Sequence, residues 1–112
     1  MHATFAALAE PSRLRIFELL REGPRPVGEI GDALQLRQPQ VSKHLRVLKE
    51  AGLVDVEARA QQRLYALQAA ALRDLHQWLE RYRDLWAERF RDLDQVLEDI
   101  KQKKEKKHER KR

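Results

Sequence analysis

The sequence of 112 residues contains no cysteine, which excludes disulfide bonds and every metal site that needs a thiolate ligand. Glycine and proline are scarce and aromatic side chains make up only 6% of the chain, so a helix-rich domain is favoured over a sandwich of short strands. No segment approaches the roughly 18 consecutive apolar residues of a membrane span, and the first residues lack the pattern of a signal peptide. We therefore expect one small domain that stays in the reducing cytoplasm.

Positive charge is concentrated at one end and in the middle of the chain. Residues 101–112 hold eight Lys or Arg against two Glu, so that residues 1–100 carry a net charge of −1 although the whole chain carries +5. Within that body, residues 37–63 hold six basic side chains against three acidic ones. We expect a folded domain over 1–100 and a basic tail over 101–112. Such a tail is most often a solvated terminus, and whether this one contacts a partner is left open.

The first third of the chain predicts short helices. A short apolar piece covers 4–9, and a helix begins at Pro11, a position where the missing N–H is tolerated. The segment Gly23–Pro26 ends that helix, because glycine accepts a positive φ and two prolines cannot extend it. A third helix is predicted over 27–34, with Leu36 as the side chain that enters the core after it.

A fourth helix and a hairpin follow. Pro39 fits the first turn of a helix whose apolar face is formed by Val41, Leu45 and Leu48 and which ends at Gly52. Two β-prone stretches, 53–56 and 64–67, enclose the polar segment 57–63 and predict a two-stranded hairpin. A short helix, a turn, a second helix and a hairpin make a winged helix-turn-helix, so the predicted fold is mainly α with a small β-hairpin.

The rest of the chain predicts one long helix. From Ala69 onward the apolar residues recur every three or four positions: Leu72, Leu75, Leu79, Tyr82, Trp86, Phe90, Leu93, Leu97 and Ile100. Such a helix has more apolar surface than a domain of about 70 residues can cover. We therefore interpret about 69–100 as a dimerisation helix. Docking of the whole helix against its own domain is the alternative.

The fourth helix carries a polar face opposite its apolar one. Glutamine presents a donor and an acceptor together to adenine, and arginine donates two hydrogen bonds to guanine. Serine, lysine and histidine hydrogen-bond to phosphates. The polar face is made of Gln38, Gln40, Ser42, Lys43, His44 and Arg46. Because the helix that carries this set follows a turn and precedes a hairpin, the set favours binding to double-stranded DNA.

Two strings of the sequence resemble the ArsR/SmtB family of winged-helix repressors. The first is LAEPSRLRI over Leu8–Ile16, and the second is QPQVSKHLRVLKEAGLV over Gln38–Val54. The resemblance implies a homodimer that binds operator DNA through a recognition helix over 38–51 and a wing over 53–67. It implies DNA contacts by the polar face above, by Arg59, Gln62 and Arg63 of the wing, and by Arg37. Arg37 stands where the family commonly has a serine helix cap, so that cap hydrogen bond is expected to be missing and Arg37 is free to bind a phosphate.

The resemblance also implies which residues join the two subunits. The family dimerises through its first and last helices. Carried over to this sequence, the dimer interface consists of Phe5, Leu8, Leu72, Leu75, Leu79, Tyr82, Trp86, Phe90 and Leu93.

The metal sites of the family are not reproduced. Its Cys-x-Cys site falls on Pro26 and Gly28, which offer no ligand atoms. A second family site retains Asp74 and His76, but its partner positions are Ala87 and Phe90. Two ligands cannot complete a four-ligand zinc site, so we expect no metal and no cofactor. The chain is instead similar to the cysteine-free branch of the family, which has a Trp-rich last helix like the segment 78–86 here.

Three other functions can be compared with DNA binding. The four histidines share neither a helical face nor ligand spacing, and no Ser, His and acid set lies near a glycine-rich turn, so we expect no enzyme. The alternative function is a winged-helix protein-interaction module without specific DNA binding. Retention on heparin or DNA at moderate salt separates DNA binding from protein interaction. A DNA-binding protein must be retained, whereas an interaction module need not be. A purely structural coiled coil leaves the polar face of the fourth helix unexplained.

Overall fold

The computed structural model describes the backbone of residues 1–110 and the side chains of 1–107. Residues 111–112 of the predicted basic tail lie outside the described residues. The elements in chain order are α1 (His2–Leu8), α2 (Pro11–Leu20), α3 (Val27–Leu34), α4 (Gln38–Glu50), β1 (Val54–Arg59), β2 (Gln62–Leu67) and α5 (Ala69–Arg110). This order confirms the predicted mainly α fold with one hairpin. Residues 1–76 form one compact unit, and the chain from 77 onward forms a second.

The core of the first unit is built from α1 to α4 and the start of the hairpin. Its buried residues come from every one of these elements: Ala7, Ile16, Leu20, Ile30, Val41, Leu45, Leu48, Leu53 and Val54. The predicted apolar face of α4 is fully buried, since Val41, Leu45 and Leu48 are at most 1% exposed. The core thereby fixes which side of α4 faces outward.

The turn between α3 and α4 is tight. Gln35 ends α3 in the left-handed conformation at φ 56°, and the backbone N–H of Leu36 donates to the carbonyl oxygen of Gly31 at 3.0 Å. Leu36 packs partly buried against the core, as predicted. The 35–37 segment therefore holds α4 at a fixed angle to α3, because its backbone and one side chain are both anchored.

Gly31 is required by this turn, and its neighbour Gly28 is not. A Cβ on Gly31 would lie 2.9 Å from the carbonyl oxygen of Leu36, whereas one on Gly28 would meet nothing within 4 Å. We expect Gly31→Ala to lower the free energy of unfolding by about 1–3 kcal/mol, because backbone must move to admit the methyl group. Gly28→Ala is the matched control and should raise it by roughly 0.5–1 kcal/mol. Urea unfolding of both variants measures the difference, and equal values would contradict the close approach.

The hairpin is longer than predicted. β1 and β2 pair antiparallel from Val54 opposite Leu67 to Arg59 opposite Gln62, so most of the segment 57–63 is strand and not loop. The tip ends of both strands are exposed on both faces of the hairpin. They therefore lack the alternation of apolar and polar residues that identifies a strand in a sequence. At the tip, Ala60 adopts φ 54° without the help of a glycine.

A third extended segment joins the hairpin. Arg25, between two prolines, pairs with Tyr65 through N–H to O contacts of 3.0 and 2.8 Å in the two directions. The guanidinium of Arg25 also lies 3.0 Å from Glu22 and 3.6 Å from Glu29. These contacts join the start of α3 to the wing.

The second unit consists of the long remainder of α5. Its side chains from 81 to 107 are all exposed, including Trp86 at 55% and Phe90 at 66%. The indole of Trp78 and the ring of Tyr82 lie 4.8 Å apart between centroids. In the described part of the chain, no helix combines the length and apolar character that crossing a bilayer requires.

Candidate nucleic-acid interface

Helix α4 presents a polar surface on the side opposite its buried residues. Ser42, Lys43 and Arg46 are exposed, and at 3.6 residues per turn they lie away from Val41 and Leu45. Gln38, in the first turn, is exposed as well. The side chains that can hydrogen-bond bases and phosphates therefore share one solvent-facing surface.

The first turn of α4 is capped by Gln40 and not by Arg37. The backbone N–H of Arg37 donates to Oε1 of Gln40 at 3.1 Å. Arg37 makes no side-chain cap bond, because a guanidinium has no acceptor atom. The expected loss of the serine-type cap is confirmed, and the reciprocal half of a capping box supplies a substitute. Gln40 thus has one of its two polar groups already engaged.

His44 differs from its neighbours on the polar face. Its side chain is only 20% exposed, and Nδ1 lies 3.7 Å from Oε2 of Glu10. That nitrogen is inaccessible to solvent and has no hydrogen-bond partner. His44 therefore lies at the edge of the buried face of α4, next to the start of α2.

The wing brings its three predicted contact residues to the hairpin tip. Arg59 and Gln62 form the last pair of the ladder, and Arg63 pairs with Ala58 one step before it. All three candidate side chains are exposed. The guanidinium of Arg59 lies 3.5 Å from the carboxylate of Glu57, a surface pair that contributes at most about 1 kcal/mol and so leaves Arg59 available to a phosphate.

The predicted dimer residues fall into two groups. Leu8 and Leu75 are partly buried within the first unit, whereas Phe5 is 42% exposed. The others are exposed along α5: Leu72, Leu79, Tyr82, Trp86, Phe90 and Leu93. Within the second unit, the members from Leu79 to Leu93 lie within about 80° of one another around the helix axis. A continuous apolar stripe therefore faces outward in the single chain.

The described residues hold no candidate metal centre. No group of three or more His, Asp or Glu side chains among them lies close enough to hold an ion. Asp74 and His76, the remnant of a family site, are both exposed on α5.

Sequence reasoning missed Glu10 as a neighbour of His44. It precedes Pro11, accepts the backbone N–H of Arg13 at 2.9 Å as the cap of α2, and faces His44. The Glu-Pro pair marks a helix start in the sequence, but no local pattern indicates that this start meets the middle of α4. The proximity arises only from the packing of α2 against α4.

Known proteins with similar sequences and folds are regulators. A sequence model described as a helix-turn-helix domain matches residues 8–57. Transcriptional repressor SdpR of Bacillus subtilis is 30% identical over 79 residues, which cover 70% of this chain and 88% of that protein. HTH-type transcriptional repressor SmtB of Mycobacterium tuberculosis H37Rv is 49% identical over 61 residues, which cover 54% of this chain and 45% of that protein. The chain thus matches about half of the length of that mycobacterial repressor.

The fold also matches a solved structure. The NMR structure of the homodimeric winged helix-turn-helix DNA-binding domain Mb0332 from Mycobacterium bovis, a possible ArsR-family transcriptional regulator, superposes with a TM-score of 0.60 at 29% identity. The match covers 73% of this chain and 79% of that one. The helix-turn-helix and the hairpin described above are thus arranged as in a DNA-binding domain.

Proposed function

This chain belongs to the ArsR/SmtB family of winged helix-turn-helix transcriptional regulators, and from that premise we propose that it represses transcription by binding operator DNA as a homodimer. The observation that carries the proposal is the exposed polar face of α4, held outward by a buried apolar face directly after a tight turn. In this family fold such a helix enters the major groove. The proposed regulator acts in the cytoplasm and is not an enzyme.

The side chains of α4 divide by role. Arg46 is the candidate for direct base reading, because its guanidinium is exposed and no hydrogen bond or ion pair engages it among the described residues. Gln40 is less suited to bidentate reading of adenine, since its Oε1 already accepts from Arg37. We assign Ser42 and Lys43 to phosphates, which position the helix without reading sequence.

The wing and the N-terminal end of α4 complete the contact surface. Arg59, Gln62 and Arg63 lie at the exposed tip and would follow the groove beside the one that α4 enters. Arg37 and Gln38 are exposed at the start of α4, where the positive end of the helix dipole favours an anion. We assign these residues mainly to the DNA backbone.

The homodimer is proposed to form through α5. Leu79, Trp86 and Phe90 expose apolar surface that a second copy of the same helix would cover. Two recognition helices in one dimer would read two half-sites related by the symmetry of the protein.

Selection of bound duplexes from a random DNA pool, followed by sequencing, tests this function. The proposal predicts an enriched motif with two inverted half-sites. A pool that shows no enrichment, together with passage of the protein through heparin at moderate salt, would instead support the protein-interaction module. This alternative has no specific observation in its favour.

The basic tail is proposed to solubilise the chain without contributing to operator binding. Its side chains from 101 to 107 are exposed, and no apolar residue follows Ile100 to dock it. Truncation after Ile100 should leave unchanged both the ranking of operator sequences and the slope of log Kd against log salt concentration. A shallower slope with the same ranking would contradict this and would identify the tail as a nonspecific electrostatic arm that releases counterions.

A further inference from the structure

The contact between the start of α2 and the middle of α4 contains a polar pair, Glu10 and His44. Nδ1 of His44 is shielded from solvent without a hydrogen bond, and the nearest charged atom is Oε2 of Glu10 at 3.7 Å. This distance exceeds the 2.7–3.2 Å of an N–H to O hydrogen bond. A shielded ring nitrogen without a partner is unfavourable. A shift of less than about 1 Å would bring Nδ1 of His44 within hydrogen-bond distance of Oε2 of Glu10.

Glu10 is well placed to orient the ring. It is the N-cap residue of α2, its backbone is extended, and its side-chain Oε2 accepts the backbone N–H of Arg13 at 2.9 Å. The carboxylate is thereby fixed to the start of α2, although the side chain remains 36% exposed. Its negative charge disfavours a lone pair on Nδ1 of His44 and favours a proton there.

The remaining nitrogen of His44 then determines what the ring offers to DNA. With a proton on Nδ1, the Nε2 atom is an acceptor in the neutral ring and a donor in the protonated ring. Phosphate oxygens accept hydrogen bonds and carry negative charge, so only the protonated ring suits them. Because Nδ1 is shielded, the 20% of the side chain that is exposed belongs to its other atoms.

We propose that Glu10 is a positioning residue for DNA binding, which holds the His44 ring so that its protonated form donates from Nε2 to a DNA phosphate. This inference rests on the proposed function. It makes operator affinity higher in acidic than in alkaline solution, because only the protonated ring donates from Nε2. It also makes that difference depend on Glu10, a residue that does not itself touch DNA.

The other charged groups near the pair do not replace Glu10. The guanidinium of Arg13 acts on Glu10, but its Nε donates to the carbonyl oxygen of Ala7 at 2.6 Å. No second ion pair joins His44 to a charged group of α3, α4 or β1 in the part of the chain that the structure describes. The backbone N–H of Arg13 lowers the pKa of Glu10, with smaller contributions from the Ser12 backbone and the charges of His44 and Arg13 against the opposing effect of burial. The lowered pKa of Glu10 favours its ionised carboxylate, so the negative charge stays beside the His44 ring.

The test measures Kd for a duplex selected by the wild-type protein, at pH 6 and pH 8 and constant ionic strength. We expect the wild type to bind about threefold to tenfold more tightly at pH 6. E10Q and H44Q should each lose most of this difference, and the double variant should lose no more than either one, because the two residues act as one unit. H76Q is the control and should keep the wild-type profile, since His76 lies on α5.

A further variant separates positioning from helix capping. E10S keeps a side-chain acceptor for the N–H of Arg13 but removes the charge, so it should fold like the wild type and still lose the pH dependence. Retention of the wild-type profile by E10Q and E10S, or a wild-type profile that is flat, would overturn the inference. Failure of the wild type to select any duplex would instead overturn the proposed function, so the two failures are distinguishable.

Discussion

Leu79→Glu or Trp86→Glu is expected to convert the homodimer into monomers at micromolar concentration and to weaken operator binding at least about 100-fold. Both side chains belong to the exposed apolar stripe of α5. Burial of each large apolar side chain contributes roughly 1.5–3 kcal/mol, and a symmetric interface loses each contribution twice. A glutamate in their place also brings two like charges into one interface. The loss of the dimer then removes the gain from engaging two half-sites together.

Analytical ultracentrifugation and DNA-binding titrations measure the two effects. Gln77→Glu is the matched control: it adds the same charge to the same helix, at a position about 160° around the axis from Leu79. It should remain dimeric and bind DNA like the wild type, and circular dichroism should show equal helix content in all variants. A wild-type monomer that binds the operator with full affinity would contradict the account.

Arg46→Ala is expected to cost about 1–3 kcal/mol at one operator position and to relax the preference there. Lys43→Ala should weaken binding to every sequence about equally and lower the salt slope by about one for each site. The two side chains are exposed on the same surface of α4, three positions apart, so they form a natural pair for comparison. Binding to a series of operators mutated at single positions separates base reading from phosphate contact.

Gln40 needs two substitutions in the same series. Gln40→Ala removes the acceptor that receives the N–H of Arg37 as well as the amide that could face a base. Gln40→Glu keeps an acceptor oxygen for that N–H and replaces the side-chain NH2 group with a carboxylate oxygen. If Gln40 acts only as a cap, Gln40→Ala should weaken all operators alike. Uniform losses across the series for both Arg46→Ala and Gln40→Ala would refute direct reading by either residue.

Much of the fold could be predicted because its signals are local. The spacing of Val41, Leu45 and Leu48 identified the buried face of α4, and Leu36 was identified as the anchor of the turn. The long helix followed from apolar residues every three or four positions. These features depend on helix geometry and on residues close together in the chain, which a single sequence contains.

The remaining features depend on contacts between distant segments. The ends of the hairpin strands are polar and exposed, so their sequence resembles that of a loop. Only the pairing of Arg59 with Gln62 shows that they are strands. Arg25 pairs with Tyr65 across 40 positions. Likewise, His44 has the sequence position of an outward contact but meets Glu10 from α2. The spacing of apolar residues identifies the buried face of a helix. It does not reveal which residue of another helix lies at the edge of that face.

Specific recognition of DNA is tested most directly by a ratio of two dissociation constants. Binding of the full chain to its selected duplex is compared with binding to a duplex of the same base composition in shuffled order, at one salt concentration of about 0.15 M. The proposed function predicts that the selected duplex binds at least about 10³-fold more tightly. Equal affinity for both duplexes would contradict it, because phosphate contacts alone do not distinguish sequences.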